Sequence, residues 1–108
     1  MNVSRLPHDS HNHGGMKMET PNLDGMFPDD LRAFAMECTQ GIRPIRAARK
    51  YFGTSAKGRT RAIRDLGHYA WNKLTAMECR IRGDIPAALN YEAICDRIYG
   101  RLPNFARW

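Results

Sequence analysis

The sequence predicts an all-α fold: a small helical bundle with a C-terminal antiparallel helical hairpin and a disordered N-terminal arm. Apolar residues recur three and four positions apart from Leu31 to Leu102, and no segment alternates apolar and polar residues over a useful length. The first spacing gathers side chains on one face of a helix, whereas strands need alternation. At 108 residues the chain is one domain at most.

Residues 1–27 are predicted to be a disordered arm ahead of a helical domain of residues 28–108. Few apolar residues recur in the arm at a spacing that could bury a face. The arm carries His8, His11 and His13, and imidazole is a good transition-metal ligand. Because nothing in this tract would orient the three rings, we expect an exposed polar arm and no metal site.

The first two helices are predicted to be short. Pro28-Asp29-Asp30 place acids in a first turn, where backbone N–H groups are unpaired, and Gly41 ends that helix. A second helix begins at Pro44, which the first turn tolerates. Its inner face would consist of Ile45, Ala48 and Phe52. Residues 53–58, which begin and end with glycine, are predicted to form a flexible turn.

The strongest periodicity predicts a third helix of about 24 residues. Its apolar stripe consists of Ile63, Leu66, Ala70, Leu74, Met77 and Ile81. Gly83 and Asp84 interrupt it, and Pro86 favours a new helix start that Pro103 later closes. The stripe of this fourth helix consists of Ile85, Ala88, Tyr91, Cys95, Ile98 and Leu102. Two long helices joined by a tight turn should pair as an antiparallel hairpin.

Positive charge is concentrated in one segment. The chain has a net charge of +6, and the stretch from Gly41 to Arg64 holds eight basic residues and no acid. Such a cluster repels itself unless it is well solvated or meets a polyanion, and arginine favours forked contacts to phosphates or carboxylates. The predicted contacts to nucleic acid or to an acidic partner are Arg43, Arg46, Arg49, Lys50, Lys57, Arg59, Arg61 and Arg64.

Two aromatic residues within this segment, Tyr51 and Phe52, could stack on nucleic-acid bases. We therefore predict a binding protein that contacts nucleic acid or a nucleoprotein complex through residues 43–64. The alternative is a protein–protein inhibitor or adaptor, for example against a host defence or transcription complex, which docks its basic face on an acidic surface. A third hypothesis is an assembly subunit that oligomerises through an exposed aromatic tail, Phe105 and Trp108.

No catalytic signature is found. The string from Gly53 to Thr60 resembles a phosphate-binding loop, but Arg59 occupies the lysine position and the preceding segment is predicted to be helical rather than a buried strand. His68 and Cys79 would lie about 16 Å apart along one helix, too far to form a base–nucleophile pair. We predict a protein that is not an enzyme, with no cofactor, no metal and no small-molecule substrate.

The three cysteines, Cys38, Cys79 and Cys95, form an odd set with no close pair. Reduced thiols that pack as small hydrophobic groups fit this pattern better than a secreted disulfide scaffold. No stretch approaches the roughly 20 apolar residues that a membrane span needs. These features predict a soluble cytoplasmic protein without a membrane partner.

Two resemblances concern the C-terminal half. Gly83, Ala88, Tyr91 and Pro103 occupy positions that make residues 68–103 resemble a single tetratricopeptide hairpin. The runs from Ala70 to Ile85 and from Tyr91 to Pro103 make residues 60–108 similar to small uncharacterised proteins of phages and prophages. That likeness implies a mobile-element origin, with the host cytoplasm as the location, but it implies no activity.

Overall fold

The computed structural model describes residues 21–41, 44–53 and 58–108, which form an all-α bundle. No strand occurs in these three ranges, so the predicted fold class is confirmed. The α-helices are α1 (Pro28–Met36), α2 (Pro44–Phe52), α3 (Arg59–Arg82) and α4 (Ile85–Arg101). A π-helical stretch follows α1 (Glu37–Gly41), and single 3-10 turns lie at each end of the described chain (Leu23–Gly25, Asn104–Ala106).

The hairpin of α3 and α4 is the largest packing unit. Gly83 ends α3 in the left-handed conformation at φ 81°, which glycine adopts without a Cβ penalty. Asp84 then caps α4 by accepting a hydrogen bond from the Ala87 N–H at 3.3 Å. Across the hairpin, Arg80 donates two hydrogen bonds to Glu92, at 2.6 and 2.8 Å. The predicted antiparallel pair is therefore confirmed.

The predicted apolar stripes are buried along most of the hairpin but not at its tip. Ile81 is 83 % exposed, and Ile85 is 42 % exposed across the turn. These two residues of the predicted apolar stripes therefore lie outside the buried core. Periodicity reports which side of a helix is apolar, whereas burial also requires another element to cover that side.

The packed domain begins earlier than residue 28. Leu23 is completely buried, although the sequence placed it in the arm. The side chain of Asn22 caps the Leu23–Gly25 turn by accepting a hydrogen bond from the Asp24 N–H at 3.0 Å. The rest of the predicted arm, residues 1–20 with His8, His11 and His13, lies outside the described residues.

The π-helical stretch after α1 packs on α3 at a glycine. A Cβ atom added to Gly67 would lie 2.5 Å from Thr39 Cγ2 and 2.9 Å from Cys38 Cβ. The Thr39 hydroxyl donates to the Ala35 carbonyl at 2.7 Å and accepts from the Trp71 indole N–H at 3.1 Å. The absence of a side chain at residue 67 thus lets the π-helical stretch lie directly against α3.

All three cysteines are buried and unpaired, as the sequence predicted. Burial is the main cause that raises the pKa of Cys38 to about 12 and that of Cys95 to about 11. These two thiols therefore stay protonated at neutral pH and act as small core groups. No helix within the described ranges is long and apolar enough to cross a membrane.

Candidate nucleic-acid interface

Four of the predicted contact residues project into solvent from two adjoining helices. Arg46 and Arg49 are exposed on α2, and Arg61 and Arg64 are exposed on the first turns of α3. The two helices pack against each other and are joined by residues 53–58. None of the ion pairs among the described residues involves these four arginines. We call this set the basic face.

The remaining predicted cations differ in their surroundings. Lys50 is exposed, but its ammonium group lies 2.7 Å from Glu37 Oε2 at the end of α1. Arg59 is half-buried at the start of α3. Arg43 and Lys57 lie outside the described residues. The segment contains no acid in sequence, but the folded surface is not free of acids, because the fold brings Glu37 to the edge of the segment.

The prediction that Tyr51 and Phe52 stack on bases is wrong for this structure. Tyr51 is 7 % exposed, and its hydroxyl donates to Glu37 Oε1 at 2.8 Å. Burial and this hydrogen bond raise the pKa of Tyr51. Phe52 is 2 % exposed and meets Phe105 edge to face, with ring centroids 5.0 Å apart. Both rings are buried on the inner face of α2, which leaves little of either ring surface for a base to stack on.

Sequence analysis missed one contributor, the end of α4. Arg101 lies 3.2 Å from Asp65 in the second turn of α3, so the antiparallel hairpin brings the α4 C-terminus beside the basic face. Arg97 is also exposed on that final part of α4. The predicted antiparallel hairpin could have indicated this contribution, because it pairs the end of the fourth helix with the start of the third. Asp65 neutralises one of the added charges.

The aromatic tail is packed rather than exposed. Trp108 is half-buried, and its indole N–H donates to Asp24 Oδ2 at 3.2 Å. Phe105 packs on Phe52, as described above. The hypothesis of assembly through an exposed aromatic tail therefore loses its structural basis, since both rings are held by their own chain.

Asp24 joins the two ends of the domain. Its carboxylate accepts hydrogen bonds from the Tyr69 hydroxyl at 2.7 Å and from Trp108, and it lies 3.3 Å from the Lys73 ammonium. Burial opposes ionisation, but these donors and the charge of Lys73 outweigh it and lower the pKa of Asp24. The ionised carboxylate is therefore the form that the fold favours.

The lowered pKa predicts how stability depends on pH. Asp24 ionises more readily in the folded than in the unfolded chain, so its contribution is present above the ordinary carboxyl pKa and is lost as pH falls below it. We expect Asp24→Asn to lower the free energy of unfolding by about 1 kcal/mol at pH 7. Urea unfolding should show this difference shrinking towards pH 3, and a pH-independent difference would contradict the assignment.

The structure confirms the helix predicted before the string that resembles a phosphate-binding loop. The element before residues 53–58 is helix α2 rather than a strand. Gly53 and Gly58 have φ values of 76° and 67°, so both serve as turn residues, while residues 54–57 lie outside the described part. No group of three metal-ligating side chains occurs among the described residues.

In comparisons with known proteins, no family model, curated protein or solved structure matches the chain. The binding activity of the chain must therefore be inferred from the residues of the site.

Proposed function

We propose that this chain is a non-enzymatic binding protein, encoded by a phage, that contacts nucleic acid or a nucleoprotein complex through the basic face. The observation that carries the proposal is the exposure of Arg46, Arg49, Arg61 and Arg64 without an acid paired to any of them in the described structure. Phage origin is supported by the resemblance of residues 60–108.

The burial of Tyr51 and Phe52 narrows the mode of binding. Without an aromatic platform, the basic face offers guanidinium groups to phosphates and no ring to the bases. Phosphate contacts position a protein but carry no sequence information. The proposed binding is therefore independent of sequence and is driven by the release of counterions.

A gel shift against salt tests this directly. Four phosphate contacts on duplex DNA predict a log–log slope of about −3.6, or roughly a 100-fold loss of affinity between about 50 and 200 mM salt. Random-sequence duplexes should bind equally well. Absence of any shift at about 50 mM salt would remove the nucleic-acid proposal.

A pair of charge reversals on one helix sharpens the test. Arg64 and Arg82 are both exposed on α3 and differ in position by five helical turns, so they share a direction but lie about 27 Å apart. Arg64→Glu should weaken binding at least tenfold and flatten the salt slope by about 1. Arg82→Glu makes the same change in net charge and should have little effect. Equal effects would mean that overall charge, not the basic face, controls binding.

A protein partner with an acidic surface is the second candidate. Ile45 is 42 % exposed on α2 beside Arg46, and an apolar residue next to arginines is more typical of a protein interface than of a phosphate contact. This candidate predicts that Ile45→Ala weakens binding to the partner, whereas it should leave binding to DNA unchanged.

A further inference from the structure

A cavity of about 490 Å³ is lined by aromatic rings and carboxylates, in contrast to the arginines of the basic face. It forms where the first described residues and the C-terminus meet the α3–α4 hairpin. We call it the aromatic pocket. Its lining residues are Asn22, Asp24, Tyr69, Asp96, Tyr99 and Trp108.

The three rings of the aromatic pocket are held in fixed positions. Trp108 meets Tyr69 and Tyr99 edge to face, with centroid distances of 4.9 and 4.7 Å. The Tyr99 hydroxyl donates to the Trp108 carbonyl at 2.7 Å. Together with the bond from the Trp108 indole to Asp24, these contacts order the rings before any ligand arrives.

The aromatic pocket also carries negative charge. Asp24 is balanced by Lys73, whereas Asp96 is exposed and belongs to none of the ion pairs in the described structure. The Tyr69 hydroxyl donates to Asp24 at 2.7 Å, and burial together with this hydrogen bond raises the pKa of Tyr69. Asp96 therefore supplies a carboxylate that no ion pair among the described residues occupies, with Arg107 as the cation on the Tyr99 ring.

We propose that the aromatic pocket binds an organic cation, an alkylated ammonium group. Ring faces attract cations through their quadrupole, and an alkylated ammonium also buries its methyl groups against them. Arg107 already lies 5.4 Å from the centroid of the Tyr99 ring, so this ring attracts a cation within the protein itself. A bare metal ion fits less well, because the pocket offers two carboxylates and aromatic carbon rather than a full set of oxygen ligands.

The two indole N–H signals in a ¹H–¹⁵N NMR spectrum provide the test on the whole chain. Choline should move the Trp108 signal in a saturable way and leave Trp71, which is bonded to Thr39 outside the pocket, unchanged. The control is 3,3-dimethyl-1-butanol, the neutral analogue of choline with the same shape. Equal shifts with both compounds, or no movement of Trp108 up to about 50 mM choline, would overturn the proposal.

A peptide that contains trimethyllysine distinguishes the two sources of such a group, a free small molecule or a modified side chain. Whichever of choline and the trimethyllysine peptide binds more tightly identifies the source. If neither binds, the proposal is overturned. Asp96→Asn should weaken binding of choline about threefold, since one partly solvated charge is removed. Asp29→Asn removes an exposed charge on α1 and should not change it. Equal effects of the two substitutions would also overturn the proposal.

Discussion

Phe52→Ala is expected to lower the free energy of unfolding by about 3–5 kcal/mol, because it opens a cavity in a packed core. The Phe52 ring is 2 % exposed and packs edge to face on Phe105, so its loss also frees the C-terminal turn. Because domains typically have a free energy of unfolding of about 5–15 kcal/mol, this change removes much of the stability. Urea unfolding followed by circular dichroism would measure it.

Ile45→Ala is the matched control in the same helix. Ile45 is 42 % exposed, so its predicted place on the inner face of α2 is wrong, and its truncation should cost less than about 1 kcal/mol. If Phe52→Ala left stability unchanged and abolished binding of nucleic acid instead, the ring would be acting on bases and its assignment to the core would be wrong.

The helices were predictable because each one carries its own local signals. Pro44 and the glycine that follows Phe52 bound α2, and Gly83 with Asp84 separates the two hairpin helices. Burial was less predictable, because it depends on what covers a face. Leu23 lies in the stretch that the sequence assigned to the arm, yet the fold buries it completely, while Ile81 continues a regular stripe into solvent.

The sequence predicted the positive charge of the candidate interface, but it did not predict which side chains share its surface. The sequence identified the run of cations, but Glu37 and Asp65 approach it only through contacts between helices. Tyr51 was assigned to the nucleic-acid interface because it lies between basic residues in sequence. The helical turn directs it inward instead, where its hydroxyl meets Glu37. Adjacent positions on a helix face different directions, so neighbours in sequence need not share a site.

The close approach of the π-helical stretch to α3 leads to a prediction in which two glycines respond with opposite signs. Gly67→Ala should lower the free energy of unfolding by about 1–2 kcal/mol, because overpacking outweighs the better helix propensity of alanine. The new Cβ would meet Cys38 Cβ and Thr39 Cγ2 inside 3 Å. Neither atom can move away easily, since Cys38 is fully buried and hydrogen bonds hold the Thr39 side chain.

Gly100→Ala in α4 should instead raise the free energy of unfolding by about 0.5–1 kcal/mol. A Cβ at that exposed position meets no atom within 4 Å, so only the gain in helix propensity remains. Thermal and urea unfolding of both variants would give the two signs. A stabilised Gly67→Ala variant would show that the π-helical stretch can shift along α3. The close contact at Gly67 would then not fix how that stretch lies against the hairpin.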